Sequence, residues 1–435
     1  MRSSRPFLAL ALALAPVGAS GQNHASQIDA RIQQVLPKVV QWRRDIHQHP
    51  ELSNREVRTG KLVAEHLKAL GLEVKENVAR TGVVAVLRGG RPGPVVALRA
   101  DMDALPVTEM VDLPFKSNVK STYNGQEVGV MHACGHDSHV AMLMGVAEVL
   151  TGMKAQIPGT IKFVFQPAEE GPPPGETGGA GDMITEGVLE NPKVDAIFGL
   201  HVMPSETGTI GYRSGGLMAS SDNLRIVVRG KQTHGAVPWG GVDPIAVSAQ
   251  IVNGLQTIVS RQINITNAPV IVTIGRINGG IRFNIIPDSV VMEGTIRALD
   301  PDMQKDVHAR IKRTAEMIAQ SAGALADVRI DIGNPVTFND PALTEQMLPT
   351  LRRIAGNRVM VVQAQTVAED FSKFQQRVPG LFFFLGITPA GTDPGKVAAN
   401  HSPYFFVDEA AFPTGMRALA GLALDYLSAR RVSSE

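Results

Sequence analysis

Short runs that are apolar on both faces, set between helical stretches, constrain this chain more than any other feature of its sequence. Residues 83–87, 95–100, 161–165 and 196–200 are such runs. A strand apolar on both faces must be covered on both, and alternation with helices is how a parallel sheet gains that cover. We therefore expect an α/β layer built on a mostly parallel sheet. Its helices are expected at 26–48, 54–70 and 137–150. Asn54 is a cap-like start for the second, Val63, Ala64, Leu67 and Leu70 share one of its faces, and Gly71 ends it.

From about Asn223 the rhythm changes to strand (224–228), helix (244–262), two strands (270–277 and 289–298), helix (303–322) and strand (326–332). That order is the β-α-β-β-α-β unit of a ferredoxin-like domain. After Pro335 helix and strand resume, with an apolar run at 381–385 and a last helix from about Glu409. The α/β domain is thus expected to be discontinuous, formed by 23–220 and 334–435 around an insert at 221–333. A chain of 435 residues exceeds what one core usually serves, so two domains fit its length.

The first 22 residues have their own pattern. Arg2 and Arg5 precede an apolar run at 7–17, and Gly18, Ala19 and Ser20 follow. This reads as a secretory signal, giving an exported, periplasmic or secreted protein; the alternative is an ordinary N-terminal helix or anchor. The run falls short of the roughly 20 apolar residues of a membrane span, and no later stretch comes closer. Lys and Arg number 42 against 41 Asp and Glu, so no basic surplus argues for nucleic acid or an anionic membrane. A small, neutral or mildly charged substrate suits that balance.

Cys134 is the chain's one cysteine. In an exported protein it has no internal disulfide partner, and an idle thiol there is a liability. Its two readings are a small buried hydrophobe and a metal ligand. Neighbours favour the ligand. Ligands of open α/β sheets gather beyond the carboxyl ends of strands, and there the apolar runs lead into Asp101 and Asp103, into Glu169 and Glu170, and into His201. Cys134 and His136 stand just before a helix, and His401 follows the late apolar run.

Cys134, His136, Glu170, His201 and His401 are five donors, more than the three that a single catalytic metal commonly takes. Two metals are implied, with Cys134 the best candidate to bridge them. Glu169 and Glu170 leave a strand as neighbours and point apart, so one can bind metal while the other acts as general base. The residues alone do not say which, and such an acidic turn is more often a solvated loop. Asp101 and Asp103, two apart, suit the role of accepting the ring N–H of metal-bound histidines; the alternative is a pair capping a turn. His47 and His49 end a helix before a proline and read as structural.

Eight motifs together resemble one family. They are WRRDIHQHPE (42–51), RADMDALPV (99–107), MHACGHDSHVAML (131–143), FQPAEEG (165–171), GLHV (199–202), THGAVPWGGVDP (233–244), NIIPD (284–288) and NHSPYF (400–405). They resemble the metallopeptidase family of aminoacylases, carboxypeptidases and dipeptidases, and within it the amidohydrolase branch of hippurate hydrolases and plant auxin-amino-acid conjugate hydrolases.

The resemblance places Cys134, His136, Glu170, His201 and His401 on metal-ligand positions and Glu169 on the general base. Asp103 falls on an aspartate that other branches set two residues after a metal-binding histidine; that histidine's position is Asp101 here, and Cys134 joins the ligands instead. Zinc or manganese is implied, with cobalt and nickel open. The insert is implied to dimerise the protein, a homodimer or higher homo-oligomer, and to send His234 into the partner's site to stabilise the oxyanion. Asn284 and Arg297 are implied to hold the substrate's carboxylate or carbonyl.

The function expected is a binuclear metal-dependent amidohydrolase that splits N-acyl amino acids into a carboxylic acid and an amino acid. A dipeptidase or carboxypeptidase acting on small peptides is the near alternative. A non-catalytic periplasmic peptide- or metal-binding protein is the alternative of another class.

Overall fold

The computed structural model describes residues 18–393 and 396–429. As far as residue 17, the expected signal lies outside the described residues.

The large sheet has eight strands, in the order Glu73–Val78, Gly82–Arg88, Pro158–Gln166, Arg91–Asp101, Ala196–Glu206, Gly380–Thr388, Ile210–Tyr212 and Val359–Val361. Its central four are mutually parallel, and Gly82–Arg88 runs antiparallel to Pro158–Gln166. One face is covered by the helices Gly18–Gln48, His136–Thr151 and Phe412–Ala429, which pack on each other. Val39, Met142, Leu143, Phe163, Phe198 and Leu419 share that core. The other face lies under Gly179–Thr185 and Phe371–Gln375, with Met183, Phe371, Phe374 and Phe382 inside. Helix His136–Thr151 is buried almost throughout, which is why its sequence is apolar all round.

The insert is a separate antiparallel sheet in the order Val270–Gly279, Ser289–Ala298, Ser221–Arg229, Leu325–Asn334. Helices Pro244–Thr257 and Pro301–Ser321 lie together against it. Its core is its own: Leu224, Ile226, Met292 and Ile296 meet Ile251, Leu255, Val307 and Ile311. The fold is the expected one, an α/β domain with a mostly parallel sheet carrying a ferredoxin-like insert.

Differences in element bounds have local causes. The second helix starts at Val57, because Asn54 sits at φ 63° and gives its amide to Glu176 Oε2 and the Thr177 carbonyl, at 2.9 and 3.0 Å, instead of capping. Helix Pro301–Ser321 starts two residues before the expected Met303: the Asp300 carboxylate accepts from Asp302 N and Met303 N, and Pro301 supplies a preset first turn. The Asp243–Pro244 pair starts Pro244–Thr257 the same way. The expected helix to Gln262 ends as α-helix at Thr257 and finishes as a π-turn over Ile258–Gln262.

Candidate metal centre

At the carboxyl ends of the central strands the chain makes three tight turns toward one point. Gly135 caps helix His136–Thr151 at φ 87°, and a Cβ there would stand 2.3 Å from Val202 Cγ2, so only glycine lets Cys134 and His136 flank this approach. Ala168, at φ 51°, turns the chain after Pro158–Gln166 and delivers Glu169 and Glu170. His401, at φ 69°, is docked through its N–H on the Ala133 carbonyl, 2.8 Å away. Non-glycine residues held in this region mark a backbone that its surroundings over-determine, a common property of functional sites.

Two groups of donors result. Ligand atoms of Cys134, His136 and His201 lie within 4.8 Å of one another, and so do those of Cys134, Glu170 and His401. The thiol belongs to both. Cys134 Sγ is 3.3 Å from His201 Nε2, and His401 Nε2 is 3.0 Å from Glu170 Oε1. Each of the two inner histidines has Nδ1 engaged by a main-chain carbonyl, His136 by Asp103 O and His201 by Val202 O, both at 2.8 Å. That tautomer leaves Nε2 as the lone-pair donor, and His136 Nε2 is buried with no hydrogen-bond partner. Glu170 Oε1 is buried as well. Burial and the adjacent His139 hold His201 well below the usual histidine value, so it is neutral and fit to coordinate. Soft thiolate, imidazole and carboxylate, five donors in two overlapping groups, fit a pair of divalent transition-metal ions.

Glu169 stands beside them, its ligand atom within 4.8 Å of those of His136 and Glu170. Asp370 N donates to its Oε1 at 3.3 Å. Burial first, and then the carboxylates of Glu369, Glu170 and Asp370, push its pKa well above the usual carboxylate value, the direction that suits a proton-accepting group working near neutrality.

Behind Glu169 lies a network that the sequence reading missed. Arg99, fully buried in the Arg91–Asp101 strand, donates to Gln166 (2.8 Å), Asp101 (2.6 Å), Glu369 (2.9 Å) and Asp370 (3.1 Å). One guanidinium thus ties two strand ends to the 369–370 turn and compensates three buried carboxylates. Burial still pushes Glu369 up to about 7 against the pull of Arg99. A signal was present: an arginine inside an apolar strand has to be buried and therefore paired. Glu369 and Asp370 follow no apolar run, and nothing near them in the sequence points to the site.

The aspartates divide their work differently from expectation. Asp101 accepts from His139 Nδ1 at 2.6 Å, and His139 Nε2 accepts from Val202 N, so its histidine is a bracing residue rather than a candidate ligand. Asp103 steadies His136 through its carbonyl, with Oδ1 3.3 Å from the same Nδ1. Its carboxylate meanwhile accepts from Glu169 N and Glu170 N, both at 3.0 Å, so the turn-capping alternative describes half of its role. His47 is buried between Asp137 (2.8 Å) and Glu109 (3.1 Å), bracing the start of the His136 helix, while His49 is exposed.

His234, Asn284 and Arg297 all lie in the insert and outside the described donor groups. His234 is exposed, its Nδ1 accepting from Ala236 N. Gly235 N donates to Asn284 O, which sets His234 and Asn284 side by side, and Asn284 Oδ1 is buried without a partner. Arg297 is half-buried opposite Ile271 in the insert's sheet.

Fold and donor set define a metal-dependent hydrolase of the amide-cleaving kind. The chain belongs to peptidase family M20/M25/M40, whose family model matches residues 97–425. It is 43% identical over 400 residues to thermostable carboxypeptidase 2 of Saccharolobus solfataricus, covering 91% of this chain and 97% of that protein. It is 38% identical to N-acetylcysteine deacetylase of Bacillus subtilis, covering 89% and 96%. Among solved structures it is similar to the Bacillus subtilis YXEP protein, described as a dinuclear metal binding peptidase from the M20 family, with a TM-score of 0.75, 36% identity, and 91% and 99% coverage.

Proposed function

We propose that this protein hydrolyses the amide bond of N-acyl amino acids, releasing a carboxylic acid and an amino acid. The observation that carries this reading is the pair of three-donor groups that share Cys134, with Glu169 at their edge. Cys134, His136, Glu170, His201 and His401 are the proposed ligands. Bound there, two divalent cations supply Lewis-acid polarisation of the scissile carbonyl and acidify water. Glu169 takes the proton from the attacking water and passes it to the leaving nitrogen. Zinc or manganese is proposed, and cobalt or nickel would suit the same donors.

The catalytic unit is proposed to comprise 23–220 and 334–435, and the insert, 221–333, to pair two copies. Trp239, Ile281 and Phe283, at 82, 96 and 95% exposure, stand on the insert that carries His234 and favour a surface covered by a second copy. In that dimer His234 of the partner subunit would donate to the oxyanion, and Asn284 and Arg297 would hold the substrate's carboxylate or carbonyl. The charged, apolar and small-residue order of the first 22 residues supports export to the periplasm or beyond. Among the described residues no helix is long and apolar enough to cross a membrane.

Peptide hydrolysis is the second reading, favoured by the 43% identity to a carboxypeptidase. Protein loaded with Mn²⁺ or Zn²⁺ is expected to hydrolyse hippurate-like N-acyl amino acids with kcat/KM at least about tenfold above dipeptides of the same C-terminal residue. Faster turnover of the dipeptides would replace the reading, and turnover of neither would leave a binding protein.

Metal uptake is expected to depend on pH. Hydrogen bonds to the Cys134 thiol and to Glu170 push metal-free His401 up to about 10, and burial pushes the thiol up as well. Both protons must leave before these groups can coordinate, so binding releases protons and weakens as pH falls. Competition with a chelator should show affinity dropping at least about tenfold per pH unit through the neutral range. An affinity independent of pH would remove His401 and Cys134 from the ligand set.

A further inference from the structure

Three successive main-chain amides in the turn that carries the proposed base, Ala168 N, Glu169 N and Glu170 N, all donate to buried carboxylates. Asp103 accepts from the second and third, both at 3.0 Å, and Glu56 accepts from the first at 2.9 Å. Successive N–H groups that converge in this way make a concavity fit for an anion, and here the chain fills it with two of its own. Glu56 is fully buried and belongs to none of the described donor groups. It stands directly before helix Val57–Ala69, where a side chain could cap the first turn, yet its carboxylate makes no capping bond. Oε1 accepts from Asn54 N at 3.0 Å as well as from Ala168 N, and Oε2 accepts from the Thr81 hydroxyl at 2.5 Å.

None of those three partners is charged. Burial, and then the nearby charge of Asp103, push Glu56 up to about 7, so its surroundings oppose ionisation. A carboxyl kept there against that opposition, with its own helix left uncapped, is explained by what it grips across the fold. That is Ala168, whose φ of 51° lies where a residue with a Cβ is disfavoured. Such a conformation persists only where the surroundings impose it. Released from Glu56, residue 168 is free to return to a negative φ, which changes the bearing of the Glu169 side chain next to it. Glu169 N and Glu170 N stay in the grip of Asp103, so the metal-binding half of the turn is held independently.

We infer that Glu56 is a positioning residue for the hydrolysis: by holding Ala168 N it keeps the turn left-handed and so aims Glu169 at the attacking water, while Asp103 keeps Glu170 with the metals. The inference rests on the amidohydrolase reading above, with Glu169 as its base, and deepens it. Glu56→Asp is the test. It keeps the charge and sets a preferred capping residue before Val57, which favours folding, but its shorter side chain gives up Ala168 N. With N-benzoylglycine as substrate, metal-loaded Glu56→Asp should show kcat at least about tenfold below wild type, with KM within about threefold and metal content unchanged. Glu56→Gln keeps an oxygen for Asn54 N and Ala168 N and should stay within about threefold of wild-type kcat. In a Glu169→Gln background, Glu56→Asp should lower kcat by less than about threefold further, because a residue that acts through Glu169 has nothing left to position.

Wild-type kcat in folded Glu56→Asp would overturn the inference. So would a loss of metal that matches the loss of kcat, or the same tenfold fall in the Glu169→Gln background, since either gives Glu56 a role apart from the base. Failure of Glu56→Asp to fold would make Glu56 a support of the fold and overturn it too. Those results leave the amidohydrolase reading standing, whereas a wild-type protein that turns over neither N-benzoylglycine nor dipeptides would sink both.

Discussion

Glu169→Gln is expected to lower kcat by roughly 10²–10⁴-fold while the protein keeps its full complement of metal. Glutamine has the same shape, and its side-chain oxygen can still accept from Asp370 N as Glu169 Oε1 does. What it loses is basicity: no oxygen is left to take a proton from water and return it to the leaving nitrogen. A loss of that size corresponds to about 3–5 kcal/mol of transition-state stabilisation. Steady-state kinetics on protein of measured metal content is the check. A variant retaining more than about a tenth of wild-type kcat would take the proton transfer away from Glu169.

The second large effect belongs to Cys134→Ala. Every other proposed ligand serves one of the two donor groups, whereas the thiol serves both. Its removal leaves His136 and His201 on one side and Glu170 and His401 on the other, two donors each, with only the approach of His136 to Glu170 between them. Both ions should bind at least about a hundredfold more weakly, and activity at limiting metal should fall below about 1% of wild type. By contrast, Asp103→Asn keeps the main-chain carbonyl that orients His136 and weakens the carboxylate's holds on the Glu169–Glu170 turn, on Ser53 and on His136 Nδ1, so its metal content should stay near wild type. Full metal binding by the alanine variant would show that the thiol is a bystander.

The layers of the fold were legible because their strands are apolar on both faces, a pattern that few architectures besides a sheet covered on both sides can bury. The donors were legible for a related reason. Glu170 and His201 sit where apolar runs give out, and Cys134 and His136 flank the one glycine able to cap their helix. Arg99 was less visible, since a single charge in VVALRAD does not say what it pairs with, and its partners Glu369 and Asp370 are some 270 positions away. His139 was hidden for the opposite reason: it stands among other candidate donors in HDSHV, and only its bonds to Asp101 and Val202 N separate brace from donor. Asp103 escaped because main chain and carboxylate do different jobs, and residue type speaks only for the side chain.

Two cations per chain, which the two donor groups that share Cys134 would hold, are the centre of the proposed mechanism. Elemental analysis of protein stripped of metal, reloaded to saturation and freed of excess ion addresses them most directly. Two ions per chain are predicted for the wild type, with activity rising until the second is bound. Saturation at one ion with full activity would contradict the two-metal mechanism.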